Sequence, residues 1–180
     1  MTLEQEQQLE QLLKQWREER HLSIESQRDG LIGNLCEEMA EYYRATNKSE
    51  KIDALCDMYV FCMNSLDEEL KLLYNKYTSG PVYPAILKYS MRFSILQFIA
   101  DDTVRHLNVN SAAYMLMKNI EREVKELDYN FYKCMMETIK EISSRTGHYD
   151  ENIHKFVKDK SEEAKSKWYK ADYEKCKIKE

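Results

Sequence analysis

Only 4 glycines and 2 prolines punctuate the 180 residues, against averages near 7% and 5% of a chain. Gly and Pro are the strongest local breakers of regular backbone, and alternating β-branched runs are scarce here too, so the chain is committed to long helices. Leu3, Leu9, Leu12, Leu13 and Trp16 fall on one face of a charged, Gln-rich first helix, and His21 to Asp29 reads as a connection. A second helix is expected from near Asp29 to Ala45, burying Leu31, Ile32, Leu35 and Met39. Asn47, Lys48 and Ser49 make a polar break, with Ser49 the N-cap of a third helix. That helix turns Ile52, Leu55, Tyr59, Cys62 and Leu66 inward and is expected to run toward Tyr77, until Ser79-Gly80-Pro81 ends it.

A fourth helix is expected after Pro84 through Ile99, a fifth capped by Ser111 and ending near Leu127, and a sixth over Phe131 to Ile142. Beyond Gly147 the pattern fades, leaving Phe156, Trp168, Tyr169 and Tyr173 as anchors of a lysine-rich tail. The expected fold is therefore all-α: a helical bundle of five to six helices over 1–147, with a basic, less regular C-terminal tail over 148–180 packed on it rather than forming a separate domain.

Charge and composition exclude several functions. With 27 Lys+Arg against 32 Asp+Glu the net charge is −5, which disfavours duplex nucleic acid, whose affinity comes mainly from cations neutralising phosphates. No apolar run approaches the roughly 20 residues of a membrane helix, and 13 Tyr and 9 Met argue against disorder. The five cysteines are an odd number at irregular spacing, without a C-x-x-C pair or a secretory signal, so free thiols and a cytoplasmic location are expected. The four histidines lack ligand-like spacing, and neither a P-loop nor a G-x-S-x-G nucleophile turn is present.

What remains is a constellation of acids. Glu38 and Glu41 lie about 60° apart around the second helix, and Asp53 and Asp57 about 40° apart around the third, so each pair shares a face. A short link makes the two helices antiparallel neighbours, which would gather four carboxylates at one level. Their repulsion is relieved by a hard, oxygen-loving cation such as Mg²⁺ or Mn²⁺. The same spacing also suits solvated outer positions. Against that, Asp53 and Asp57 sit in the nearly apolar run Ile52 to Met63, where a carboxylate without a partner is costly.

The segment Leu31 to Glu41, with Glu37-Glu38-x-x-Glu41, followed by Asp53-x-x-x-Asp57 before a hydrophobic stretch, resembles the MazG-like all-α nucleoside triphosphate pyrophosphohydrolases. That superfamily includes dimeric dUTPases, dCTPases and phosphoribosyl-ATP pyrophosphohydrolases. The family pattern is E-E-x-x-E, a gap, then E-x-x-D. Here Ala54 stands at the second glutamate and Asp53 is the nearest substitute, an arrangement similar to phage-type members. The resemblance covers Arg28 to Met63, with a weaker echo in Glu141 to Arg145 and the lysine-rich stretch after Lys155; nothing between Glu68 and Asn130 matches, and an added helical hairpin is expected there.

The resemblance implies Mg²⁺-dependent hydrolysis of a nucleoside triphosphate, or a related nucleotide, to the monophosphate and pyrophosphate. It assigns Glu38, Glu41, Asp53 and Asp57 to the metal, with Mn²⁺ as an alternative ion. It also implies a homodimer or higher homo-oligomer. Glu38 and Glu37 are the catalytic candidates: Glu37 would orient or deprotonate the attacking water, or else simply faces solvent. Arg145, Lys155 and Lys158 would hold phosphates, or are exposed solubilising charges. Trp16 and Trp168 would be base-stacking platforms, or core anchors. A non-catalytic helical interaction protein and a nucleotide sensor are the competing functions.

Overall fold

The computed structural model describes residues 1–66, 72–75, 109–153 and 155–178. Helix α1 spans Leu3–Glu18, α2 Ile24–Arg44, α3 Lys48–Asn64, α4 Val109–Glu126, α5 Phe131–Ser144 and α6 Glu162–Lys167. A two-stranded hairpin, β1 Gly147–Asp150 and β2 Lys155–Lys158, separates α5 from α6, and a 3₁₀ turn over Tyr173–Cys176 follows. The fold is all-α with a less regular C-terminal tail.

α3 is the central element, in contact with α1, α2, α4, α5 and the 3₁₀ turn. Its apolar run explains this: Ile52, Leu55, Met58 and Cys62 are fully buried, and Tyr59 nearly so. Leu9 and Leu13 of α1, Leu31 and Leu35 of α2, Tyr114 and Ile120 of α4, and Cys134 and Met135 of α5 close around it. Tyr59 meets Phe131 edge-on with ring centroids 4.8 Å apart, a favoured aromatic geometry. The inward positions read from helical spacing for the third helix are all buried, including Leu66, which lies just beyond the end of α3.

Several boundaries differ from expectation. α2 begins at Ile24 because the Ser23 hydroxyl accepts from the Ser26 N–H at 3.1 Å, so the connection predicted over His21 to Asp29 lies instead over the five residues 19–23. α3 is capped by Asn47, which accepts from the Glu50 N–H at 3.0 Å. Ser49, the predicted cap, donates instead to Glu174 at 3.0 Å. α3 also stops at Asn64 rather than continuing toward Tyr77, since distant residues capture its end: Arg28 Nε donates to the Ser65 carbonyl at 2.8 Å and Arg17 to the Asn64 side chain at 3.2 Å. α4 opens at Val109, two residues before the predicted cap Ser111. The fourth helix expected after Pro84, and the Ser79-Gly80-Pro81 break, lie outside the described residues, as does most of the proposed 68–130 insertion.

The tail is more ordered than its sequence suggests. β1 and β2 pair antiparallel with Gly147 opposite Lys158 and Tyr149 opposite Phe156. Gly147 is required there, because a Cβ would strike the Val157 carbonyl and stand 2.7 Å from the Phe156 ring. The 3₁₀ turn sits against the bundle: Tyr173 and Cys176 join the core, the Asn130 N–H donates to the Cys176 carbonyl at 2.8 Å, and the Ile178 N–H donates to the Asp128 carbonyl at 2.8 Å.

Candidate carboxylate site

α2 and α3 lie side by side, joined by a link of only three residues, 45–47. Their facing surfaces carry Glu38 and Glu41 from α2 and Asp53 and Asp57 from α3, each pair separated by about one turn. Glu38 and Asp57 are half-buried, whereas Glu37, Glu41 and Asp53 are exposed.

The four acids act on one another. Burial pushes the Glu38 carboxyl up to about 8, and Asp57, Glu41, Asp53 and Glu37 add repulsion in that order. Asp57 is raised to about 7, first by burial and then by Asp53, with Glu141 adding repulsion and Arg145 and Lys158 opposing it. Asp53 is raised as well, by desolvation, against the hydrogen bond it receives from Tyr173. Among the described residues neither Glu38 nor Asp57 takes a hydrogen bond or an ion pair. This is a partly desolvated acidic face short of positive charge.

Two predicted cations border it. Arg145, at the C-terminus of α5, pairs with Glu141 at 2.6 Å and exerts its field on both Asp53 and Asp57. Lys158, at the end of β2, has its pKa lowered by burial and by Arg145, while Asp57 pulls the other way. Lys155 lies on the same strand, with its side chain outside the described residues. Helix and hairpin thus bring cations far apart in sequence to the edge of one acidic face.

Trp16 is occupied elsewhere. Its indole N–H donates to the Ile142 carbonyl at 3.2 Å, and the Arg20 guanidinium stacks 4.7 Å from its ring centre. Arg20 also lies 5.1 Å from the Phe156 ring centre and donates to the Arg145 carbonyl at 3.2 Å, tying α1 to the hairpin behind the cationic edge.

Two contributors, Tyr173 and Thr138, carry no functional signal in the sequence, and a third, Glu141, lies in the Glu141 to Arg145 stretch where the family resemblance is weak. Glu141 holds Arg145 through one oxygen and accepts the Ala171 N–H at 2.7 Å through the other. Beside that weak resemblance, its i,i+4 spacing to Arg145 was the other hint. Tyr173 donates to Asp53 Oδ1 at 2.7 Å, and Thr138 stands 3.0 Å from the same hydroxyl; no local pattern links residues 120 positions apart. Beside Asp53 opens a cleft of about 310 Å³, lined by Glu41, Arg44, Ala45, Glu50 and Asp53.

The donor set is all oxygen, with Glu38 and Asp57 half-buried and without a hydrogen bond or ion pair among the described residues, and oxygen donors are the kind a hard divalent cation takes. As the side chains stand, no three His, Cys, Asp or Glu among the described residues converge in ligating geometry. No helix among the described residues is long and apolar enough to cross a membrane.

No family model, curated protein or solved structure matches the chain.

Proposed function

We propose that the protein is a Mg²⁺-dependent nucleotide pyrophosphohydrolase, with Mn²⁺ able to substitute, that hydrolyses a nucleoside triphosphate or related nucleotide between the α and β phosphates. The observation that carries the reading is that Glu38 and Asp57, facing one another's fields across α2 and α3 and without a hydrogen bond or ion pair among the described residues, both have their protonation raised by burial and by neighbouring carboxylates. Such perturbed, charge-deficient groups concentrate at functional sites. The resemblance of Glu37-Glu38-x-x-Glu41 and Asp57 to the MazG-like motif points the same way.

In this reading Glu38, Glu41, Asp53 and Asp57 hold the metal. When bound, the ion neutralises phosphate charge and makes water a stronger acid. Glu37, exposed next to Glu38 in the chain, is the residue assigned to orient or deprotonate incoming water. Arg145 and Lys158 take the phosphates, Arg145 preset by its ion pair with Glu141, so that little order is lost when an oxyanion is gripped. The cleft beside Asp53 gives the nucleotide a place adjoining the metal face. Trp16, already bonded to Ile142, is assigned to anchoring rather than base stacking. The same reading carries a cytoplasmic location and a homodimer or larger homo-oligomer.

Purified full-length protein incubated with a panel of nucleoside triphosphates and Mg²⁺ should release pyrophosphate from at least one. Absence of release from every substrate, together with no Mg²⁺-dependent stabilisation, would return the chain to the non-catalytic interaction reading.

A further inference from the structure

Four of the five cysteines are buried, and two of them meet where the C-terminal tail joins the bundle. Cys134 stands one turn into α5, and Cys176 closes the 3₁₀ turn. Backbone bonds bring them together: the Asn130 N–H donates to the Cys176 carbonyl at 2.8 Å, and the Asn130 carbonyl accepts the Cys134 N–H at 3.0 Å. A side-chain hydrogen bond links the two thiols, favouring charge on Cys176 and disfavouring it on Cys134, as follows when the Cys134 S–H is the donor. The Cys176 thiol in turn faces the Asp172 carbonyl at 4.0 Å. Two sulfurs thus touch across a junction that the backbone already holds.

The other thiols are placed differently. Cys56, on α3, feels the charge of Cys134 but has its hydrogen bond with Thr138. Cys62 is affected by burial alone, and Cys36 is exposed on α2. Burial pushes the Cys134 and Cys176 thiols up, so thiolate is scarce and the pair reacts slowly. Within it, Cys176 is the sulfur better able to carry charge. The segment it closes is otherwise seated by single bonds: the Ala171 N–H to Glu141 at 2.7 Å, the Asp172 N–H to Glu137 at 3.0 Å and the Ile178 N–H to the Asp128 carbonyl at 2.8 Å.

We infer that Cys134 and Cys176 are a redox pair that hydrogen peroxide converts to a disulfide, fastening the C-terminal 3₁₀ turn to α5. The Cys176 thiolate attacks one peroxide oxygen and the O–O bond breaks. The leaving hydroxide takes up the proton that Cys176 gave away and departs as water, and Cys176 is left as a sulfenic acid. The Cys134 sulfur then attacks the Cys176 sulfur; its proton leaves with the hydroxyl as a second water, and the S–S bond forms. Two thiols lose two electrons, and the peroxide that gains them becomes two waters. A dithiol reverses the bond by exchange. Closing a long loop restricts the unfolded chain and so stabilises the seated tail. The bond needs nothing of the carboxylate face and goes beyond the proposed hydrolysis.

The test is peptide mapping of the full chain after treatment with hydrogen peroxide and alkylation of the remaining thiols under denaturing, non-reducing conditions, with thermal melts before and after. The expected product carries one intramolecular bond between Cys134 and Cys176 and melts several degrees higher, and dithiothreitol undoes both changes. Cys176→Ala should lose both, whereas Cys36→Ala should keep them. The map of the wild type decides the pairing even where Cys176→Ala fails to fold. Alkylation of all five thiols after treatment, a bond joining Cys134 or Cys176 to a different cysteine, a sulfinic acid at Cys176 in place of the bond, or a cross-linked protein that melts no higher than the reduced one would each overturn the inference.

Discussion

Two clusters of buried or half-buried charge in this molecule are built in opposite ways. Between α1 and α4, Glu6 is fully buried, yet it is ion-paired with Lys118 and accepts from Tyr114 Oη at 3.1 Å. Lys118 in turn meets Glu121 at 3.3 Å and lies 5.2 Å from the Tyr114 ring centre. Between α2 and α3, Glu38 and Asp57 are only half-buried and have no such partner among the described residues. A buried charge the fold neutralises itself is a matter of architecture. One left without a partner costs stability as an anion, a cost relieved by taking up a proton or, in the proposed function, a cation.

Breaking the neutralised cluster should have the largest effect. Lys118→Met strands Glu6 as a buried anion, a class of change that costs about 3–5 kcal/mol, readable as a lower urea midpoint. The acidic face should respond in the opposite sense. Asp57→Asn removes a repelling charge, so the metal-free melting temperature should hold or rise while pyrophosphate release falls by about 100-fold or more, as for loss of a metal ligand. Asp57→Asn that lowers stability and leaves turnover intact would make the two clusters alike and defeat the comparison.

The pH dependence sharpens the contrast. Burial and the neighbouring carboxylates push Glu38 up to about 8 and Asp57 up to about 7 in the folded, metal-free protein, from ordinary values of 4.5 and 3.8. A carboxyl whose folded pKa is raised binds its proton more tightly when folded, so it favours folding fully at pH below the unfolded value and loses that contribution as pH rises through the folded value. These two groups should therefore make the metal-free protein melt lower by several degrees between about pH 5 and pH 8. Added Mg²⁺ should raise the melting temperature more at pH 8 than at pH 5, because protons compete with the metal for the same oxygens. A Mg²⁺ stabilisation independent of pH would place the ion elsewhere.

The smallest effects separate the rim from the anchors. Lys158→Ala should raise KM several-fold with little change in kcat, the pattern of lost ground-state and transition-state binding alike. Trp16→Phe removes the indole bond to the Ile142 carbonyl and should cost about 1 kcal/mol of stability with KM unchanged; a KM that rises instead would return Trp16 to the substrate.

The acidic motif was legible because both ends of it are local. Glu38 with Glu41 and Asp53 with Asp57 share helix faces by spacing alone, and the apolar run around Asp57 signalled burial before any coordinate. The course of α3 was read well as far as Asn64 for the same reason, since its inward positions follow one period. Its end was misread because Arg17 and Arg28, 47 and 37 residues away, capture the last carbonyl and amide groups. The hairpin was missed because its strands are four residues each and dominated by charged and polar side chains, too short for a period of two to emerge.

Spacing along the chain thus determined the helical character, the buried faces and the two acid pairs, because a helix repeats every 3.6 residues whatever surrounds it. Only the tertiary structure decided which cations border the acids, that Trp16 is spent on Ile142, and that a tyrosine 120 positions away holds Asp53. The physical reason is range: periodicity acts over one or two turns, whereas the neutralisation and orientation of a carboxylate depend on whichever residues packing brings within a few ångströms.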